Sequence, residues 1–156
     1  MQLRVIAVGA RMPAWVDQAV DEFARRLPPE FRLEWRTVKA EPRGASGAPD
    51  QWRSREAQRI RDALPAGARL VLLDERGDDI GSEQLAQRLA RWRDAAQPVA
   101  LVIGGPDGVD AALRAAAHET IRLSTLTLPH ALVRIVLAEQ LFRAWSILAG
   151  HPYHRG

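Results

Sequence analysis

The chain has 156 residues, 47% of them hydrophobic, which suits one domain with a buried core and is too apolar for wholesale disorder. It contains no cysteine, which excludes disulfides, thiolate metal sites and a cysteine nucleophile. The net charge is +3 and Lys39 is the only lysine; arginine grips phosphate bidentately, so the charge admits a nucleic-acid partner without requiring one.

Met1 runs straight into Gln2–Val8, an alternating strand pattern that ends at Gly9, with no charged and then apolar leader before it. Pro13 suits a first helical turn, and Trp15, Val16, Ala19, Val20, Phe23, Ala24 and Leu27 recur at helical spacing until Pro28-Pro29 stops them. A second strand is predicted around Leu33–Thr37. Residues 41–49 hold two prolines and two glycines and read as a loop, after which Asp50 is placed to cap a helix running to about Leu64. Pro65–Gly67 turns the chain into Leu70–Leu73, a short apolar strand predicted to end at Asp74. Ser82 is placed as the cap of a further helix that buries Leu85, Leu89 and Trp92. Val99–Ile103 is another continuous apolar run, and such runs are characteristic of parallel strands covered on both faces.

Gly104-Gly105-Pro106-Asp107-Gly108 follows that strand, then a short helix over Asp110–Ala117, a fifth strand over Ile121–Ser124, and a long helix over His130–Ala149 closed by Gly150 and Pro152. The alternation predicts an α/β fold, a mostly parallel sheet flanked by helices, in a single domain spanning residues 1–156. The most apolar stretch, Ala131–Ala149, carries Arg134, Glu139, Gln140 and Arg143, which are costly in a bilayer; a cytoplasmic protein with no membrane span is expected.

Chemistry concentrates after Ile103. Gly104 and Gly105 stand at the carboxyl end of a predicted strand, where ligands of parallel sheets sit, and they allow either close backbone approach to a ligand or simply a tight turn. The chain has no G-x-x-x-x-G-K-[ST], and Gly9-Ala10-Arg11 is not G-x-G-x-x-G, so neither a P-loop nor a dinucleotide fingerprint is present. Asp107 would repel a phosphate and favours a neutral or cationic ligand. In Leu123-Ser124-Thr125-Leu126-Thr127-Leu128-Pro129-His130, leucines and small hydroxyls suit a flat heterocycle, or else form a buried linker with Thr127 as a helix cap. His130 reads as a structural histidine or a base. The long helix is apolar around most of its circumference, which predicts burial on two sides, the second at a subunit interface. Glu139 and Arg143 are spaced to pair. The terminal Tyr153-His154-Arg155 offers a stacking ring, a group titrating near neutrality and a phosphate fork, at what is otherwise a fraying end.

As an ordered set, the glycine loop, the run from Leu123 to His130, Arg134, Leu137-Ala138-Glu139-Gln140, Arg143-Ala144 and Tyr153-His154-Arg155, together with Val8-Gly9 and the basic Arg11, resemble the RlmH family of SPOUT-class ribosomal RNA large subunit methyltransferases along the whole chain. The resemblance implies an α/β domain with a C-terminal trefoil knot, S-adenosylmethionine bound in the knot, a homodimer, and methylation of N3 of a pseudouridine in large-subunit rRNA of the assembled ribosome. It places cofactor contacts on Leu73, Gly104 and the residues Leu123, Ser124, Thr125, Leu126, Thr127 and Leu128, with Gly105 beside them. It turns Tyr153, His154 and Arg155 toward the RNA, at the partner subunit's cofactor. It implies no metal. N3 must lose its proton before attack, and His154 is the first candidate base, His130 the second, with Tyr153 stacking on the base and Arg155 binding phosphate or the developing anion. The departures are Thr125, where a smaller residue is common, Pro106 and Phe142 in place of common Ala and Tyr, and a less basic segment over residues 41–50. A non-catalytic RNA binder and a knotted tRNA methyltransferase are the competing readings.

Overall fold

The computed structural model describes residues 1–9, 12–44 and 47–155. Five strands, β1 (Gln2–Val8), β2 (Arg32–Val38), β3 (Arg69–Asp79), β4 (Val99–Ile103) and β5 (Glu119–Arg122), form one sheet in the order β2-β1-β4-β3-β5. Every pairing is parallel, as the continuous apolar runs predicted. The helices are α1 (Ala14–Ala24), α2 (Pro49–Ala63), α3 (Ser82–Ala95), α4 (Ala111–Ala116) and α5 (His130–Ala149).

Strand periodicity divides the core into two layers. Leu3, Val5, Ala7, Val71, Leu101 and Ile103 meet Leu85, Leu89 and Trp92 of α3 and Leu137, Leu141 and Phe142 of α5. Ile6, Val8, Leu70, Leu72, Ala100 and Val102 meet Ala57 and Ile60 of α2 and Leu113 of α4. Behind α5 lies α1, whose Val16 and Val20 bury against Ala138. The helix α5 is thus apolar on two sides because it lies between the sheet and α1. Part of the face expected at a subunit interface is covered within the chain.

Helix boundaries depart from expectation at three caps. The N-cap of α2 is Ala48, not Asp50, which falls in the first turn; Gln51 Oε1 accepts from the Ala48 N–H at 3.4 Å. The N-cap of α3 is Gly81, not Ser82, whose hydroxyl is engaged with α5 instead. The N-cap of α5 is Pro129, not Thr127. By contrast, Asp110 caps α4 by accepting from the Leu113 N–H at 2.8 Å.

The strands β3 and β5 also differ from their predicted spans: β3 continues past Asp74 to Asp79, and β5 starts earlier and ends at Arg122. Ile121 pairs with Leu73 and again with Asp78, with a register break between them. At the break Gly77 lies on the β5 backbone, so close that a Cβ there would sit 2.6 Å from Ile121 C.

Candidate active site

All five strands run the same way, so Val8, Ile103 and Arg122 end their strands at one end of the sheet, where β3 breaks register after Leu73. Leu73 is in register with Ile103 on one side and Ile121 on the other. This brings Leu73, the glycine loop after β4 and the run after β5 to adjacent strand ends. Helices α1 and α3 follow β1 and β3 onto one face, whereas α4 follows the intervening β4 onto the other; crevices at such switch points are where ligands bind in parallel sheets.

A cavity of about 180 Å³ opens there, lined by Leu73, Ile80, Leu85, Leu123, Leu137 and Gln140 among others. Of the sequence-predicted contacts, Leu73 and Leu123 line it; Gly104, Gly105 and Ser124–Leu128 do not. The run after β5 is open, with Leu126 74% exposed. Ser124 Oγ accepts from the Leu126 N–H at 2.9 Å, while the amides of Thr125, Thr127 and Leu128 have no hydrogen bond among the described residues. Unspent backbone donors beside exposed and half-buried leucines fit a flat, mostly apolar heterocycle with polar edges.

The glycine loop is a tight turn in its own right. Gly108 N–H donates to the Gly105 carbonyl at 2.9 Å, and Gly108 has φ +75°, the left-handed region that glycine tolerates. A Cβ on Gly105 would lie 3.0 Å from Glu56 Oε1 and 3.2 Å from Val8 Cγ1. Glu56, 2% exposed, is a residue the sequence reading missed. It accepts from the Glu41 N–H at 2.9 Å and pairs with Arg43 at 2.5 Å; Arg43 also pairs with Asp107 at 2.9 Å. The only forewarning was the spacing of Glu56 with buried Ile60 and Ala63 on α2. Asp107, expected to repel a phosphate from the loop, has its charge met by Arg43. Held by Glu56 first and Asp107 second, the Arg43 guanidinium is more firmly protonated than usual. The segment read as a loop over residues 41–49 therefore anchors the glycine turn through Glu41 and Arg43; its residues 45–46, like Arg11, lie outside the described residues.

The tail is folded, not frayed: Pro152–Arg155 forms a 3-10 turn against α5. Tyr153 packs edge-on to Phe142 at 4.7 Å between ring centres, with the Arg26 and Arg143 guanidinium groups 5.3 and 5.1 Å from its own. Its hydroxyl donates to Glu139 Oε1 at 3.0 Å. Burial, then the Glu139 carboxylate, pushes the Tyr153 phenol up. Glu139 pairs with Arg143 at 2.5 Å, as their spacing predicted. Gln140 Nε2 donates to Glu139 Oε2 at 2.8 Å, and Ser82 Oγ donates to Gln140 Oε1 at 2.6 Å. A hydrogen-bond chain thus joins the tail to Ser82 and Gln140 in the cavity wall. His154 Nδ1 is buried without a hydrogen-bond partner among the described residues, and Arg155 is exposed.

His130 and Arg134 lie one turn apart on α5 and converge over Gly9: a Cβ on Gly9 would stand 3.2 Å from one Arg134 Nη and 3.7 Å from His130 Nε2. Burial, then the Arg134 charge, pushes the imidazole pKa down, and burial does the same to Arg134. Among the described residues there is no group of three His, Asp or Glu side chains arranged to hold a metal ion, and no helix long and apolar enough to cross a membrane.

A family described as predicted SPOUT methyltransferase matches residues 1–154. Curated relatives named ribosomal RNA large subunit methyltransferase H are similar along their whole length. Those of Bordetella petrii and Variovorax paradoxus are each 56% identical over 155 residues, and that of Acidovorax sp. strain JS42 is 55% identical over the same length; in each case 99% of both chains is covered.

Proposed function

The chain belongs to the SPOUT methyltransferase family, and from that premise we propose that it transfers the methyl group of S-adenosylmethionine to N3 of a pseudouridine in large-subunit rRNA of the assembled ribosome. The observation that carries this reading is the end-to-end likeness, at 56% identity, to proteins named for methylating large-subunit rRNA. The cofactor supplies an activated methyl on a sulfonium. Leu73, Leu123, Leu126 and Leu128 would sandwich its heterocycle, and the unspent amides around Ser124, Thr125 and Thr127 would take its polar edges. Gly104 and Gly105, in the turn that Glu56 and Arg43 brace, would offer backbone groups to it.

A knotted C-terminal end is part of this reading and rests on membership of the SPOUT family. A homodimer is supported by large apolar side chains left open beside α5: Trp15 is 56% and Leu132 40% exposed. In that dimer Tyr153, His154 and Arg155 of one subunit would meet the RNA at the partner's cofactor.

The residues that act on the nucleotide are those of the tail. His154, half-buried in the tail, would accept the N3 proton through the ring nitrogen that is not buried. His130 is the poorer acceptor, since a proton there would sit beside the Arg134 cation. Tyr153 stays protonated at neutral pH and serves by stacking, and exposed Arg155 is free to bind phosphate or the developing anion.

Incubation with methyl-labelled cofactor and, separately, ribosomes, free rRNA and tRNA tests the assignment: label should enter rRNA in ribosomes. Label in tRNA alone would refute the substrate. Calorimetry without heat on adding S-adenosylmethionine would refute catalysis and leave an RNA binder.

A further inference from the structure

Arg134 is 5% exposed, and its Nε and one Nη have no hydrogen-bond partner among the described residues. Four residues earlier His130 buries an Nε2 that also has none among them. No carboxylate forms an ion pair with Arg134 among the described residues; Asp17 supports its charge only from beyond salt-bridge distance, and a buried guanidinium so weakly matched costs several kcal/mol. Both side chains lean toward the start of α5, as helical side chains do. That start is itself uncompensated: Pro129 caps it without a side-chain bond, and its first turn holds no acidic residue. In a helix of 20 residues this leaves the positive end of the dipole beside the buried cation. The floor is Gly9, at the carboxyl end of β1 and beside β4, at a switch point of the sheet. A side chain on Gly9 would crowd both groups, its Cβ standing 3.2 Å from one Arg134 Nη and 3.7 Å from His130 Nε2.

We propose that Gly9, His130 and Arg134 form an oxyanion site that seats one phosphodiester of the substrate RNA. The fork of Arg134 meets two phosphate oxygens, His130 Nε2 carries its hydrogen and donates to one of them, and the helix N-terminus adds its partial charge. The proposal rests on the RNA-methyltransferase reading for the source of the phosphate, though not for the anion chemistry. It places a backbone anchor at the same end of the sheet as the glycine loop. The RNA is then gripped beside the cofactor by residues that take no part in proton transfer.

Two arms test it. In the first, inorganic phosphate alone is titrated into the full-length protein against chloride at equal ionic strength. At about ten times its Kd, phosphate should raise Tm by about 3 °C. Arg134→Gln should abolish that shift. In the second, binding of a short fluorescent RNA is followed over a range of salt; Arg134→Gln should lower the slope of log K against log salt by about 1, as loss of one phosphate contact does. If Arg134→Gln does not fold, Gly9→Ala keeps Arg134 and His130 but crowds them, and should cut the phosphate response. A full phosphate shift in either folded variant, or an unchanged salt slope in Arg134→Gln, overturns the proposal. So does a wild-type protein indifferent to phosphate in which Arg134→Gln changes the oligomeric state, for then a carboxylate of a second copy is the partner. Absence of RNA binding by a wild-type protein that still responds to phosphate would sink the RNA reading and leave the anion site.

Discussion

Tyr153 donates its hydroxyl hydrogen to Glu139 Oε1 at 3.0 Å, and through Gln140 and Ser82 that carboxylate is tied to the cavity between β3, β5 and α5. The tail is thereby held by a hydroxyl and by a ring, and the two can be separated. Tyr153→Phe removes the hydrogen bond but leaves Glu139 paired with Arg143, so the cost should be about 1 kcal/mol, a Tm lower by about 2–4 °C. Tyr153→Ala also removes the ring packed on Phe142 and should cost about 2 kcal/mol more. If the ring stacks on the target base, single-turnover methylation should fall by less than about tenfold in Tyr153→Phe and by about 100-fold in Tyr153→Ala. Equal rates for the two variants would assign the effect to the hydroxyl.

Arg43 is the counter-charge of Glu56 beneath the glycine turn, at 2.5 Å, and Glu56 is 2% exposed. Removing one partner of a buried pair strands the other. Arg43→Ala should therefore cost about 3 kcal/mol in urea unfolding and weaken cofactor binding, because the turn at Gly105 loses its brace. Arg43→Met with Glu56→Met removes both charges and should cost less than the sum of the two single changes. Strict additivity in that cycle would show that the two side chains do not act as a pair.

What the sequence disclosed follows from the range of the forces involved. The apolar runs Leu70–Leu73 and Val99–Ile103 and the all-round hydrophobicity of α5 announce burial on both sides, because burial is written in the side chain itself. The covering partner is not written there, so α5 suggested a second subunit where α1 supplies part of the cover. The stretch from Asp74 to Asp79 is polar and expected to lie beyond the strand; it is strand because its backbone meets Ile121, more than forty positions away. Helix caps misled for a related reason: Asp50 and Ser82 are good caps by type, but Ser82 is drawn off to Gln140 by tertiary packing. Candidate site residues were legible as an ordered motif. The Glu56–Arg43 brace and the unmatched burial of Arg134 were not, since each depends on which charges the fold takes out of water.

Gly77 provides the sharpest steric test. An added Cβ would lie 2.6 Å from Ile121 C and 2.7 Å from Ile121 N, and both are backbone atoms of a paired strand that cannot swing aside. Gly77→Ala should cost about 3 kcal/mol or more in chemical denaturation. Gly81→Ala, whose Cβ has only Gln84 Oε1 at 4.0 Å, should cost under about 1 kcal/mol, the loss of a favourable cap residue. Similar values for the two variants would mean that β3 does not lie on β5 as described.

Glu119 gathers three donors on the other edge of the molecule: Arg69 Nε at 2.5 Å, Trp92 Nε1 at 2.7 Å and Arg88 Nη1 at 3.0 Å. Burial pushes its carboxyl up, but the hydrogen bonds from Arg69 and Trp92 and the charges of Arg69 and Arg88 outweigh it, so the group stays below the usual carboxylate range. With a folded pKa below the unfolded value of about 4.3, the unfolded chain binds more protons between the two. The contribution is therefore complete above the unfolded pKa and is lost as pH falls through the folded one. Glu119→Gln keeps an oxygen for Trp92 but cannot titrate. Thermal unfolding from pH 6 to pH 2.5 should show the wild type more stable at the upper end, with the gap to Glu119→Gln closing below about pH 4. Parallel curves over the whole range would mean that this carboxylate is not selectively held in its charged form by the fold.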